Sequence, residues 1–214
     1  MLTAFFDYVI QNPVQLGILV RQHLALTFWP VIIAGVLAIP FGIVATRIRG
    51  LGNLLLTIAN LGQTIPSIAV LGLVIPFLGI GFVPAVFAFI LRALLPIFLN
   101  TYIGVREVDP ATIEAARGLG MRDLQVLLYV ELPLASPLII AGIRTTAVQN
   151  VAIATLAAFI GAGGLGDLIL QGLAMMDPGR LLAGAIPAAG LAILLEIGLG
   201  WFEKSVTPKG LRRT

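Results

Sequence analysis

No charged residue occurs in the 42 residues from Gly50 to Leu91. A helix of about 20 apolar residues crosses the hydrocarbon of a bilayer, so this run is too long for one crossing and has to be shared between two. The break is expected at Pro76-Phe-Leu-Gly-Ile-Gly-Phe-Val-Pro84, where two prolines and two glycines fall within nine residues. The rest of the chain agrees: of 214 residues, 59% are hydrophobic and 11% charged, against roughly 25% charged in a soluble domain. With a mean hydropathy of +1.06, the chain reads as an all-α integral membrane protein.

Taken in order, the chain gives about five transmembrane helices. Residues 1–23 mix apolar and polar groups, with Asp7 ahead of any basic residue and Pro13 in the middle. A cleavable signal starts basic, so this segment is expected to be a short amphipathic helix on the membrane surface, followed by a turn. Leu24 to Thr46 is uncharged and forms span one, with Pro30 and Pro40 as kinks supported by neighbouring helices. Span two covers about Leu51–Ile75, span three Pro84–Tyr102, span four Pro133–Phe159 and span five Leu181–Trp201, with a loop from Gly161 to Arg180. The bundle thus occupies residues 24–202, and a basic tail covers 203–214.

Lysine and arginine near span ends are retained on the cytoplasmic side. Placing the tail inside collects Arg47, Arg49, Arg106, Arg117, Arg122, Lys204, Lys209, Arg212 and Arg213 there and leaves Arg21 and Arg180 opposite, nine against two. The N-terminus is then outside and the C-terminus cytoplasmic. The basic residues form no single surface, so the pI near 9.8 does not point to nucleic acid. With no cysteine and one histidine, disulfides, thiol chemistry and imidazole-rich metal sites are excluded or nearly so.

The longest polar interval runs from Arg106 to Pro133 and holds five of the 10 acidic residues. Asp109-Pro110 is a good helix start, an N-cap followed by a proline in the first turn. Ala111 to Leu119 reads as helix, Gly120 ends it with a left-handed cap, and Met121 to Val130 reads as a second short helix stopped at Leu132-Pro133. Ala115 and Ala116 give the first helix a small-residue face, with Glu114 and Arg117 at its rim.

Glu114-Ala115-Ala116, three residues, Gly120, nine residues, Val130, one residue and Leu132-Pro133 are similar to the EAA loop of ATP-binding-cassette importer permeases, with valine where the usual pattern has isoleucine. The resemblance implies the type I importer-permease architecture of the methionine-permease-like group, with this loop as a coupling helix seated in a groove of a cytoplasmic ATPase. Glu114, Ala115, Ala116, Arg117, Gly118, Leu119 and Gly120 are then the coupling residues. The runs Gln63–Ala69, Leu95–Thr101, Ala141–Thr145 and Ile160–Asp167 resemble the permeases for glycine betaine, choline, carnitine and proline betaine, in register over roughly residues 20–200.

Five spans are too few to enclose a path that opens alternately to each side, so a second permease subunit, identical or different, is expected. No G-x-x-x-x-G-K-[ST] loop occurs, so ATP hydrolysis is not expected in this chain; the resemblance implies that ATP and Mg belong to a partner ATPase in two copies. The chain itself binds no cofactor and is not an enzyme. It stops at Thr214, so its extracytoplasmic substrate-binding protein is expected to be separate. Rivals are a permease for methionine or another small solute, a channel, and an intramembrane enzyme, for which no Ser/His, paired-Asp or metal cluster appears in the spans.

Gln63, Thr64 and Ser67, beside Pro66, place polar groups and a kink mid-span, as in a helix lining an aqueous path or one glued to its neighbours by hydrogen bonds. Arg144, Gln149 and Asn150 lie either along that path or in structural bonds to backbone carbonyls, and Arg92 either faces protein or snorkels. Glu196 is expected to pair with Arg47 or Arg49, and His23 to be solvated at an interface. Gly161-x-Gly163-x-x-Gly166 matches a dinucleotide fingerprint only by letter, since no βαβ unit surrounds it. It reads as a tight turn, a place where a receptor docks or both. Gly184-x-x-x-Ala188 and Ala154-x-x-x-Ala158 are packing seams.

Overall fold

Asn12 precedes Pro13, and a residue before proline is disfavoured in the α region; its φ of −128° and ψ of 46° break the chain between α1 (Leu2–Gln11) and α2 (Pro13–Arg47). This is a computed structural model that describes residues 2–48 and 50–206. Arg49, Lys209, Arg212 and Arg213, counted above for topology, lie outside them. The expected turn near residue 23 is absent: α2 runs unbroken for 35 residues through Pro30 and Pro40. The Asn12-Pro13 step is the real breaker, so the helix of span one starts at Pro13, eleven residues before the uncharged run at Leu24.

The uncharged run is cut at two places. α3 (Leu51–Thr64) and α4 (Ser67–Leu78) meet at Ile65-Pro66 with a bend of 96°, and Gly79 and Gly81, both with positive φ, then turn the chain into α5 (Phe82–Arg106). The second break is the expected one. The first follows from Pro66, which donates no hydrogen bond and pushes Ile65 to an extended ψ of 125°. Four described helices or helical stretches are long and apolar enough to cross a bilayer, and the bent pair makes a fifth.

After α6 (Pro110–Gly118) and the short α7 (Asp123–Val126), the chain does not stop at Leu132-Pro133 as expected. A π turn over Leu127–Glu131 leads straight into α8 (Leu132–Ala154), with the Leu132 N–H bonded to the Leu127 carbonyl five residues back. Pro133 sits in the first turn of α8, and the widened turn before it leaves room for its ring. A 3-10 turn, Thr155–Ile160, ends α8. The expected loop from Gly161 to Arg180 contains a helix, α9 (Leu165–Met175), too short to span, before α10 (Pro178–Val206).

α5 is the central helix, packed on α2, α8, α3 and α4, while α10 packs on α8, α9 and α1. Without a hydrophobic force between helices in lipid, small residues let backbones approach. Ala34, Ala38, Ala45, Ala59 and Ala93 surround Ile97, Phe98 and Tyr102 in one cluster. A Cβ on Gly142 would lie 2.7 Å from Asn100 Cβ, and one on Gly184 would lie 2.6 Å from the Leu165 carbonyl oxygen. The Gly184 seam is thus the place where α9 seats on α10.

His23 is not solvated. It is fully buried, its Nε2 donates to the Val151 carbonyl at 3.1 Å, and the Thr27 hydroxyl donates to the His23 carbonyl at 2.9 Å. Its burial follows from α2 continuing past it. His23→Ala leaves the Val151 carbonyl without that donor and is expected to lower stability by about 1–3 kcal/mol. A thermal scan of the detergent-solubilised subunit measures this, and an unchanged midpoint would remove the bond from the account.

Candidate functional site

The polar interval forms a hairpin of two short helices at one end of the bundle. Asp109 Oδ1 accepts from the Ala111 N–H at 3.0 Å, capping α6 as its sequence requires. At the other end, Met121 N–H donates to the Ala116 carbonyl at 3.2 Å and Gly120 N–H to the Arg117 carbonyl at 2.9 Å. With Gly120 at φ +85°, this is a Schellman cap. Arg117 Nη2 reaches Asp123 Oδ1 at 3.0 Å, and Arg122 N–H donates to Gln125 Oε1 at 2.8 Å, which fixes α7 against α6.

The faces of α6 differ. Ala116 is buried at 6% exposure together with Val108, whereas Glu114, Ala115, Arg117, Gly118, Leu119 and Gly120 are exposed. So only one of the two alanines offers a free small-residue surface; the other anchors the helix to its own chain. Leu119 at 85% and Leu124 at 65% exposure add an apolar tip. Leu124 had no sequence signal, because a leucine beside a membrane span looks like the span. Glu114 makes no ion pair among the described residues.

The other predicted site residues do not form one cluster. Gln63 and Thr64 end α3 and are exposed, with Thr64 Oγ1 donating to the Leu61 carbonyl at 2.7 Å, and Ser67 opens α4 across the bend, half-buried. Arg92 does not snorkel: its Nη1 donates to the Ile65 carbonyl at 2.9 Å and the Gln63 carbonyl at 3.4 Å, a cation at the carbonyl end of α3. Arg144 turns to α10, 3.0 Å from Glu203 and 3.8 Å from Glu196. Glu196 therefore pairs with Arg144, and Arg47 holds Glu131 instead; Arg49, the other expected partner, lies outside the described residues. Gln149 is exposed, while Asn150 faces the core at 1% exposure.

At the opposite end, the glycine turn packs on α2, where Gly164 N–H donates to Gln22 Oε1 at 3.1 Å. A hollow of about 790 Å³ lies between them, lined by polar Asn12, Gln15, Gln22 and Asp167 and by apolar Ile18 and Leu19. Burial pushes the Asp167 carboxyl above the usual carboxylate range. No group of three or more His, Asp or Glu side chains able to hold a metal occurs among the described residues.

Residues 38–208 match the family described as "Binding-protein-dependent transport system inner membrane component". The chain belongs to this family. It is therefore a multi-pass inner-membrane permease subunit, a transport component that works with a separate ATPase and a substrate-binding protein. The permease is 44% identical to the carnitine transport permease protein OpuCB of Listeria monocytogenes, over 98% of this chain and 96% of that one. It is 42% identical to the choline transport system permease protein OpuBB of Bacillus subtilis, over 90% and 88%. The osmoprotectant import permease protein OsmW of Salmonella typhimurium is also 42% identical, over 96% and 98%. Among solved structures, a chain of the inward-facing MetNI methionine ABC transporter superposes with a TM-score of 0.84 at 24% identity, over 92% of this chain and 99% of that one. An amino acid ABC transporter with histidines gives 0.76 at 20% identity, over 94% and 98%. Those two likenesses speak to the fold.

Proposed function

We propose that this permease carries osmoprotectants, small quaternary amines such as glycine betaine, choline and carnitine, inward across the membrane on the ATP of its partner. The supporting observation is that relatives named for carnitine, choline and osmoprotectant transport match at 42–44% identity over nine-tenths or more of the chain. Two permease subunits, identical or different, pair with two ATPase copies. The α6–α7 hairpin faces the cytoplasm and the N-terminus is outside, an orientation supported by the excess of basic residues at that end.

The exposed face of α6, carrying Glu114, Ala115, Gly118 and Leu119, seats in the ATPase and moves with it. Closure on ATP opens the spans toward the loaded binding protein, and hydrolysis reverses the movement. The 96° break at Ile65-Pro66, with Gln63, Thr64 and Ser67 beside it, borders the solute path, since irregular backbone at membrane depth is tolerated where it lines a cavity or is covered by protein. Arg144, held by two carboxylates, steadies α8 against α10; Gln149 remains the polar group on α8 free to face the path.

Uptake of labelled glycine betaine against labelled methionine, in cells expressing the permease with its ATPase and binding protein, tests the substrate class. Betaine accumulation without methionine accumulation is expected. The reverse would assign the chain to the methionine rival.

A further inference from the structure

Glu131, the last residue of the π turn, is buried at 2% exposure. Arg47, the last residue of α2 and 84 positions earlier, holds it with both guanidinium nitrogens: Nη1 donates to Oε1 at 3.1 Å and Nη2 to Oε2. The two side chains differ in surroundings, Arg47 being 48% exposed and Glu131 3%. An apolar pair of similar volume serves stability as well or better than a buried ion pair, so stability alone does not account for a carboxylate here. The place itself is unusual. A π turn inserts one residue into a helix and is kept mainly where the distortion is used, and this one lies between the α6–α7 hairpin and span α8. The Arg117–Asp123 pair that fixes the hairpin borders the same hollow of about 440 Å³ as Arg47 and Glu131.

We propose that Arg47 and Glu131 are positioning residues for coupling: they fasten the π turn to the inner end of α2, so that a displacement of the hairpin reaches α2 and α8 together. α8 receives the movement through the continuous helix, and α2 through the bidentate pair. Because α2 also packs along α5 and α8, the two spans move as one body and the π turn absorbs the change in helix register. This rests on the reading of α6 as the coupling element.

The experiment uses the whole transporter in proteoliposomes, with its ATPase and binding protein, and measures ATP hydrolysed and labelled glycine betaine taken up in the same vesicles. Glu131→Gln and Arg47→Gln are each expected to leave hydrolysis running while betaine moved per ATP falls about five- to a hundredfold, the usual range of a coupling between sites. The double variant should be no worse than either single, since the two act as one unit. Should Glu131→Gln fail to assemble, half-exposed Arg47→Gln carries the test. A wild-type ratio in the variants, losses that multiply in the double, or uptake and hydrolysis falling in proportion would each overturn the proposal. Glu114→Lys separates the two readings. If it uncouples while Glu131→Gln does not, only the clamp is wrong; if it too leaves the ratio unchanged, the coupling assignment of α6 fails.

Discussion

Gly166→Val is expected to prevent the permease from reaching its folded form. Gly166 lies in the first turn of α9, and a Cβ there would overlap the Thr155 carbonyl oxygen and lie 2.8 Å from its carbon. Those atoms are backbone, in the 3-10 turn that closes α8, so no rotamer change relieves the clash. α9 is also seated closely on α10, where a Cβ on Gly184 would lie 2.6 Å from the Leu165 carbonyl oxygen. Overpacking a core costs about 1–3 kcal/mol where side chains can yield, and more where they cannot. The variant should lose the monodisperse peak of the detergent-solubilised subunit. Gly198→Ala, on α10 with nothing within 4 Å of the added carbon, should elute like the parent. A Gly166→Val subunit that behaved like the parent would contradict the seating of α9.

Glu114→Lys is expected to leave the fold intact and remove transport. The side chain is exposed and makes no ion pair among the described residues, so its thermal midpoint should not move. Reversing its charge at the face proposed to meet the ATPase should lower uptake by about tenfold or more, a typical coupling loss. Gly120→Val works differently. Space around Gly120 is open, but its φ of +85° is costly for any residue with a Cβ, roughly 1–2 kcal/mol, and more for a β-branched one. The Schellman cap should open and α6 should lose its fixed relation to α7, so uptake falls with a small loss of stability. Normal uptake by both variants would remove the α6–α7 hairpin from the mechanism.

The hairpin was readable because its signals are local: an aspartate before a proline, a glycine where φ is positive, an apolar run on either side. Charge-free runs likewise placed the spans, since bilayer thickness sets their length. What stayed hidden depended on partners distant in sequence. Glu131 and Arg47 are 84 positions apart, so the acid that Arg47 holds cannot be chosen from the sequence, which offers Glu196 equally to Arg47 or Arg49. His23 stands near Arg21 in a polar stretch and looked solvated, yet its partner is a carbonyl on α8. Pro133 looked like a stop because a π turn, which lets a helix run on into a proline, has no sequence signature. Pro66 produced the sharp 96° break between α3 and α4, while Pro30 and Pro40 left α2 continuous. Arg92, bonded to the carbonyls beside Pro66, helps to explain the difference.

Solute is expected to move through this permease only on ATP hydrolysed by its partner. This is tested by labelled glycine betaine accumulation in proteoliposomes that contain the permease, its ATPase and its binding protein, with ATP or ADP supplied on the ATPase side. Accumulation above the external concentration with ATP, and none with ADP, is the predicted result. Equal betaine flux with ADP would mean a passive pore and would contradict the account.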